Sequence, residues 1–316
     1  MIVPMHPRAI LLGPQRHVPM VRPAVESLAG AKPGGRVALV TAGWEEREAE
    51  DQELRDHLGM PAVNLAIWSR VEAIFAEDPD LLGAMRERHD TLRQVQEIYR
   101  LRLGGLVSAA LELIRRTGDD DLLDPARDGS VAMLQALDHE HTERVADLHA
   151  AFEARWRPAE RPAVVRHRAE LAQLLGEAPC TCIAGGHVSV LLHRLRLFGF
   201  GELVAQRPLV AWSAGAMVAT ERIVLFHDDP PQGAADPEVM ERGLGLVPGL
   251  VALPHASRRL QLGDDRRIAL FARRFAPDRC IALDPGTRME WDGSRWQAAQ
   301  PTQVLRTDGR LAGVGA

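Results

Sequence analysis

The chain has no run of about 18 uncharged apolar residues, the length a helix needs to cross a membrane. Its start, Met1 to Pro7, lacks a charged stretch leading into an apolar one, so no signal peptide is expected. Cysteine is scarce: Cys180, Cys182 and Cys280, an odd number. With no export signal, that set points to free thiols in a reducing, cytoplasmic compartment rather than to a disulfide framework. Basic charge is not in excess, since 38 Lys and Arg stand against 43 Asp and Glu for a net −5. That balance argues against a dedicated nucleic-acid binder. There is no internal repeat, no dinucleotide-binding fingerprint and no Walker loop. Asp138-His139-Glu140-His141 with Glu143 has ligand-type side chains but not the HExxH spacing, and reads as a solvated helix face. No metal and no cofactor are expected. Arg86, Arg88, Arg93, Arg100 and Arg102 are interleaved with acids and also read as a solvated face. Cys180 and Cys182 alternate in a strand, which suits packing better than redox chemistry.

What is present is a chain of 316 residues, 46% hydrophobic, enough to bury a large core. The N-terminal part alternates. Ala9–Gly13, Arg36–Thr41 and Ala62–Trp68 read as buried strands, with helices over Val21–Leu28 and Glu45–Leu58 between them. Continuous apolar strands separated by helices imply a parallel sheet covered on both faces. From 69 to 162 no strand is evident. Leu81–Thr117 and Ser130–Trp156 carry apolar residues at helical spacing and predict an antiparallel helical hairpin. Ile98, Leu101, Leu111 and Ile114 lie off the first stripe, so the hairpin is expected to cover a neighbour, as a lid or in a homodimer. Alternation resumes with helices over Val165–Leu175 and Val188–Leu197 and strands over Cys180–Ala184, Pro208–Trp212 and Cys280–Leu283. A terminal hairpin follows over Trp291–Arg306. The expected organisation is 1–68 as the first half of an α/β domain, 69–162 as a helical insertion, and 163–316 as the second half carrying the chemistry.

The strongest local signal is Leu209-Val210-Ala211-Trp212-Ser213-Ala214-Gly215-Ala216. A buried strand ends in a serine among small residues and a helix follows at once. That is the recipe for a nucleophile elbow, in which the tight turn lifts the hydroxyl above the sheet edge and the new helix presents free N–H groups. A serine capping an ordinary helix is the other reading of the same octet. Gly185-Gly186 before His187 lets backbone amides point into a site, and is equally a tight strand-to-helix turn. A serine nucleophile needs a base and an orienting carboxylate. Among twelve histidines, His255 after Pro254 and His227 beside Asp228 are the loop candidates.

In order, Gly185-Gly186 with Leu191-Leu192, Trp212-Ser213-Ala214-Gly215-Ala216, Gly243-Leu244-Gly245-Leu246 with Pro254-His255, and Ile281 to Thr287 resemble the serine-peptidase family that contains aspartyl dipeptidase and cyanophycinase. Leu11-Leu12-Gly13 and Val40-Thr41-Ala42 are weaker matches. The resemblance implies a fold similar to class I glutamine amidotransferases: α/β, with a mostly parallel sheet flanked by helices, here with a long helical insertion. It implies Ser213 as nucleophile, His255 as base and Asp228 as orienting acid, with Asp284 in reserve because Pro285 stands where one branch has Glu. It implies an oxyanion hole from the Gly186 and Ala214 amides. His187 stands in place of the family's Asn or Asp, Ala211 in place of a common Gly, and the insertion has no counterpart in the small dipeptidases. The expected activity is hydrolysis of an amide bond in a small, aspartyl or β-aspartyl peptide-like substrate through an acyl-enzyme. His187, Arg258 and Arg266, with Arg267, are candidate substrate contacts. The rival readings are a binding or scaffold protein of the same fold, and an amidohydrolase or acyltransferase of a biosynthetic pathway.

Overall fold

A computed structural model describes residues 6–30, 34–227, 235–299 and 302–314. In chain order its elements are β1 (Ala9–Leu12), α1 (Val21–Ala29), β2 (Val37–Val40), a 3₁₀ segment (Ala42–Arg47), α2 (Gln52–Leu58), β3 (Ala62–Asn64) and α3 (Ile67–Glu77). The long helices α4 (Pro79–Arg115) and α5 (Asp120–Trp156) follow, then α6 (Pro162–Glu177), β4 (Thr181–Ile183), α7 (Val188–Leu197), α8 (Phe200–Val204), β5 (Leu209–Trp212) and α9 (Ala214–Ala219). The remainder is β6 (Arg222–His227), β7 (Ala235–Arg242), β8 (Leu250–Pro254), α10 (Ala256–Arg259), α11 (Asp265–Phe275), β9 (Arg279–Leu283), β10 (Arg288–Trp291), β11 (Trp296–Ala299), β12 (Gln303–Leu305) and β13 (Leu311–Gly313).

The central sheet has seven strands in the order β11-β10-β1-β5-β4-β2-β3, and β1, β5, β4, β2 and β3 run parallel. These strands are buried on both faces, except for the half-buried edge strand β3. Alternation divides their side chains between two cores. Ile10, Leu12, Val37, Leu39, Cys180, Cys182, Val210 and Trp212 pack under α1 and α2, while Ala9, Leu11, Ala38, Val40, Ile183, Leu209 and Ala211 belong to the core that reaches the long helices. The two neighbouring cysteines are therefore buried packing residues with free thiols. The register sets Leu12 beside Trp212 and Ile183 beside both Val40 and Ala211, so the parallel strands end level.

The strand expected over Ala62–Trp68 ends at Asn64, with Ile67 and Trp68 already in α3, and the hairpin expected over Trp291–Arg306 is divided, β11 pairing with β10 and β12 with β9. Three further parts differ from expectation. The segment 45–58 is not one helix: Glu45 has φ 58° and ψ −128°, and the buried Glu48 carboxylate accepts from the N–H groups of Trp68 and Ser69, which starts α3. Three strands, β6, β7 and β8, fill the stretch after α9. The first two make a separate hairpin, and β8 joins a four-stranded sheet ordered β13-β12-β9-β8. Finally, α5 begins at Asp120 rather than Ser130, and Pro125, in its second turn, forgoes the bond that a backbone N–H there would donate to the Asp121 carbonyl.

The helices α4 and α5 pair antiparallel: Leu113, near the end of α4, meets Arg127 near the start of α5, and Tyr99, further back along α4, meets Asp138, further on along α5. Arg127 reaches back to the carbonyls of Leu113 and Arg116, satisfying acceptors left open at the end of α4. The hairpin lies against its own α/β fold. Arg274 of α11 forks onto Asp138 at 2.7 Å to each oxygen and also donates to Tyr99 Oη at 2.8 Å. Tyr99 Oη donates to Asp138 and accepts from Val239 N–H. The run from Asp138 to His141 is thus only half solvated. His139 and Glu140 face water, whereas Asp138 and His141 are 3% and 4% exposed, because helical spacing turns them toward β7 and α11. Of the residues off the first stripe, Leu111 is buried and Ile114 half-buried, while Ile98 and Leu101 are exposed. No helix of the described residues is long and apolar enough to cross a membrane.

Candidate active site

Parallel strands that end level leave a crevice beyond their carboxyl ends, where loops and helix N-termini meet. Here a cleft of about 940 Å³ occupies that place. After β1 it is lined by Gln15 and Arg16, after β2 by Gly43 and Trp44, after β4 by Gly185, Gly186 and His187, after β5 by Ser213 and Ala214, and after β8 by His255 and Arg259.

Ser213 has φ 51° and ψ −124°, a backbone conformation that L-residues avoid, and its side chain makes no capping hydrogen bond to α9. The hydroxyl is therefore not a helix cap, and the strained turn holds it at the cleft. Glycine neighbours make that turn possible. A Cβ on Gly215 would lie 2.2 Å from Ile183 O and 2.7 Å from Ala184 O. A Cβ on Gly185 would lie 2.8 Å from Ser213 Cβ, and Gly186, at φ 121°, sits against Gly43. Gly215→Ala is expected to cost about 1–3 kcal/mol, the usual penalty for overpacking, because the obstructing atoms are backbone carbonyls that cannot swing away. Urea unfolding measures it, and a midpoint equal to wild type would refute the close packing.

The Gly186 and Ala214 amides donate to no other described residue. The His187 N–H donates to Gly43 O at 2.7 Å, and its ring Nδ1 accepts from Val190 N–H at 3.3 Å. His187 therefore caps α7 and also faces the cleft.

His255 has φ 59° and follows β8 directly. Burial, with Arg259 and Arg258 nearby, lowers the ring's proton affinity below that of an ordinary histidine, against an opposing pull from Asp284. Among the described residues no hydrogen bond joins the ring to Ser213, a looseness common without substrate. Asp284 accepts from Ser257 N–H and from Ser257 Oγ at 2.9 Å. Asp228 lies outside the described residues, as does the side chain of His227.

Arg258 and Arg266 do not line the cleft; Arg259 does, because the short helix α10 brings that residue, one turn after His255, back over the site. Arg259 is half-buried and has no ion pair or side-chain hydrogen bond among the described residues. Sequence reasoning missed it, along with Trp44, Gln15 and Arg16. The signal that would have found the last three is shared: each follows a buried strand ending in glycine, like Gly185.

The family model for peptidase family S51 matches residues 132–298, just over half of the 316-residue chain, and spans Gly186, Ser213, His255 and Asp284. No curated protein sequence matches the chain. Among solved structures it is similar to a peptidase from an acI-B1 Actinobacterium, with 14% identity, a TM-score of 0.47, and coverage of 96% of this chain and 92% of that one. It is also similar to a peptidase E-type protein from Listeria monocytogenes EGD-e, with 12% identity, a TM-score of 0.45, and coverage of 93% and 98%. The chain belongs to peptidase family S51 and is a serine-type peptidase.

Proposed function

We propose that Ser213 is the nucleophile, His255 its base, and the substrate a small peptide with an aspartyl or β-aspartyl residue. The observation that carries this reading is the strained, uncapped Ser213 facing a cleft shared with His255. The hydroxyl attacks the scissile carbonyl as its proton passes to His255, and the oxyanion is met by the Gly186 and Ala214 amides. His255 then gives the proton to the leaving amine, and water releases the acyl group by the same route. Asp228 takes the role of orienting acid that the family resemblance implies, with Asp284, which accepts from Ser257 N–H and Oγ and keeps free acceptor sites, in reserve. Arg259, a cation in the cleft without a carboxylate partner among the described residues, supports the acidic substrate through a charge-assisted hydrogen bond.

A pH–rate profile on an aspartyl dipeptide and its asparaginyl counterpart tests this reading. The base must be neutral, so kcat/KM rises with pH and levels off above the His255 pKa. Because that pKa is lowered, the midpoint is expected below about 6.5. Arg259→Gln removes one of the depressing charges, so the midpoint moves up. It is also expected to cut the preference for the aspartyl substrate by about tenfold or more. An unchanged preference removes Arg259 from substrate binding, and an acid limb that stays put removes it from the field at His255.

A further inference from the structure

A second cluster of chemistry-bearing side chains lies outside the cleft, where the helical hairpin meets the α/β fold. His149 of α5 and His193 of α7 both turn their Nε2 atoms to the Glu241 carboxylate of β7, at 2.7 Å and 2.6 Å. His149 is 92 positions and His193 48 positions from Glu241 in the chain, so only the fold unites them. The three ligand atoms lie within 4.8 Å of one another. The Glu241 side chain is 4% exposed and each imidazole 16%.

We propose that His149, His193 and Glu241 form a site for a zinc-like divalent cation that ties the hairpin to α7 and β7, two of the elements that line the cleft. Two imidazoles and one carboxylate are the donor set of a three-ligand zinc site, which leaves a fourth position for water. Nitrogen donors favour zinc and neighbouring late first-row ions over magnesium or calcium. A cavity of about 290 Å³ borders the cluster, lined by Met85, Arg88, His149, Glu153, His193 and Arg196 among others, and supplies an entry path. The cation the cluster holds in this structure is the Arg196 guanidinium, which pairs with Glu241 and lies 2.9 Å from His149 Nε2. Arg196 is at the end of α7 and 26% exposed, so it can turn outward when a divalent ion takes its place, giving up its bond to the Arg242 carbonyl to water. The two cations compete for one carboxylate. The link matters for the cleft because α7 is capped by His187, which faces the cleft, and because Met240, beside Glu241, lines it.

The test is zinc titration of chelator-treated full-length protein by calorimetry, with the melting temperature followed in parallel. The wild type is expected to bind one ion at this cluster and to melt higher with zinc, because an ion that binds only the folded state stabilises it. His149→Gln with His193→Gln is expected to weaken that binding by more than about 100-fold and to abolish the thermal shift. Arg196→Met removes the competing cation while keeping the three ligands, and is expected to tighten binding by about tenfold or more. Since it gains affinity, that result does not depend on whether the histidine variants fold well. Failure of the wild type to bind, equal binding by the double variant, or unchanged or weaker binding by Arg196→Met each overturns the site. None of these readouts uses peptidase activity, so the outcome stands apart from the assignment of Ser213.

Discussion

Ser213→Ala is expected to lower kcat on any accepted peptide by about 10⁴-fold or more while leaving the fold intact. Removal of a serine nucleophile in a triad enzyme costs on that order, with residual rate coming from substrate binding and the oxyanion donors. The fold should survive because the Ser213 hydroxyl caps no helix. Backbone strain provides a sharper control. At φ 51°, alanine is no more comfortable than serine, whereas glycine is at ease. Ser213→Gly should therefore be equally inactive yet more stable than Ser213→Ala by roughly 1 kcal/mol. Turnover, fluorophosphonate labelling and urea unfolding of the three proteins check this together. Labelling that persists in Ser213→Ala would move the nucleophile elsewhere.

The largest effect on stability is expected at Asp138. Its carboxylate and the Arg274 guanidinium are 4% and 3% exposed, and Tyr99 completes the set. Asp138→Ala leaves an uncompensated buried guanidinium and should cost about 3–5 kcal/mol. Replacing both partners by apolar residues, Asp138→Leu with Arg274→Met, should recover most of that loss, since the desolvation of both charges disappears with them. Guanidinium chloride unfolding of the single and double variants measures it. If the double variant is as unstable as Asp138→Ala alone, the buried charge is not the cause. The consequence is more than local. Arg274 also binds Pro237 O, and Tyr99 holds Val239, so the network fixes β7, whose residue Met240 lines the cleft.

How far the site was legible follows from how local its signals are. A parallel strand buried on both faces is written as an uninterrupted apolar run, so β1, β2, β4 and β5 could be read directly. The glycines and Ser213 after β4 and β5 were legible because backbone crowding leaves few residue types for such turns. The strands β6 to β8 were not read. In β7 the charged Glu238, Glu241 and Arg242 hide the strand, because they find their partners on the helices, whereas β8, Leu250–Pro254, is a wholly buried apolar run that was legible and was passed over. The interruption at Glu45 was hidden for a related reason: the buried Glu48 is satisfied by the start of α3, twenty positions away.

By itself the sequence determined the α/β class, the long helical pair and the turns after β4 and β5. These depend on apolar period, on glycine and on the few residues either side, and such rules act within a handful of positions. Only the tertiary structure decided which of the neighbouring arginines faces the cleft. Arg259 is chosen over Arg258 and Arg266 by the pitch and placement of short helices at the sheet edge. It also decided that Asp138 is buried while Glu140 is not, and that His149, His193 and Glu241 share one space. Proximity between residues far apart in the chain is set by the packing of whole elements, and no local spacing encodes it.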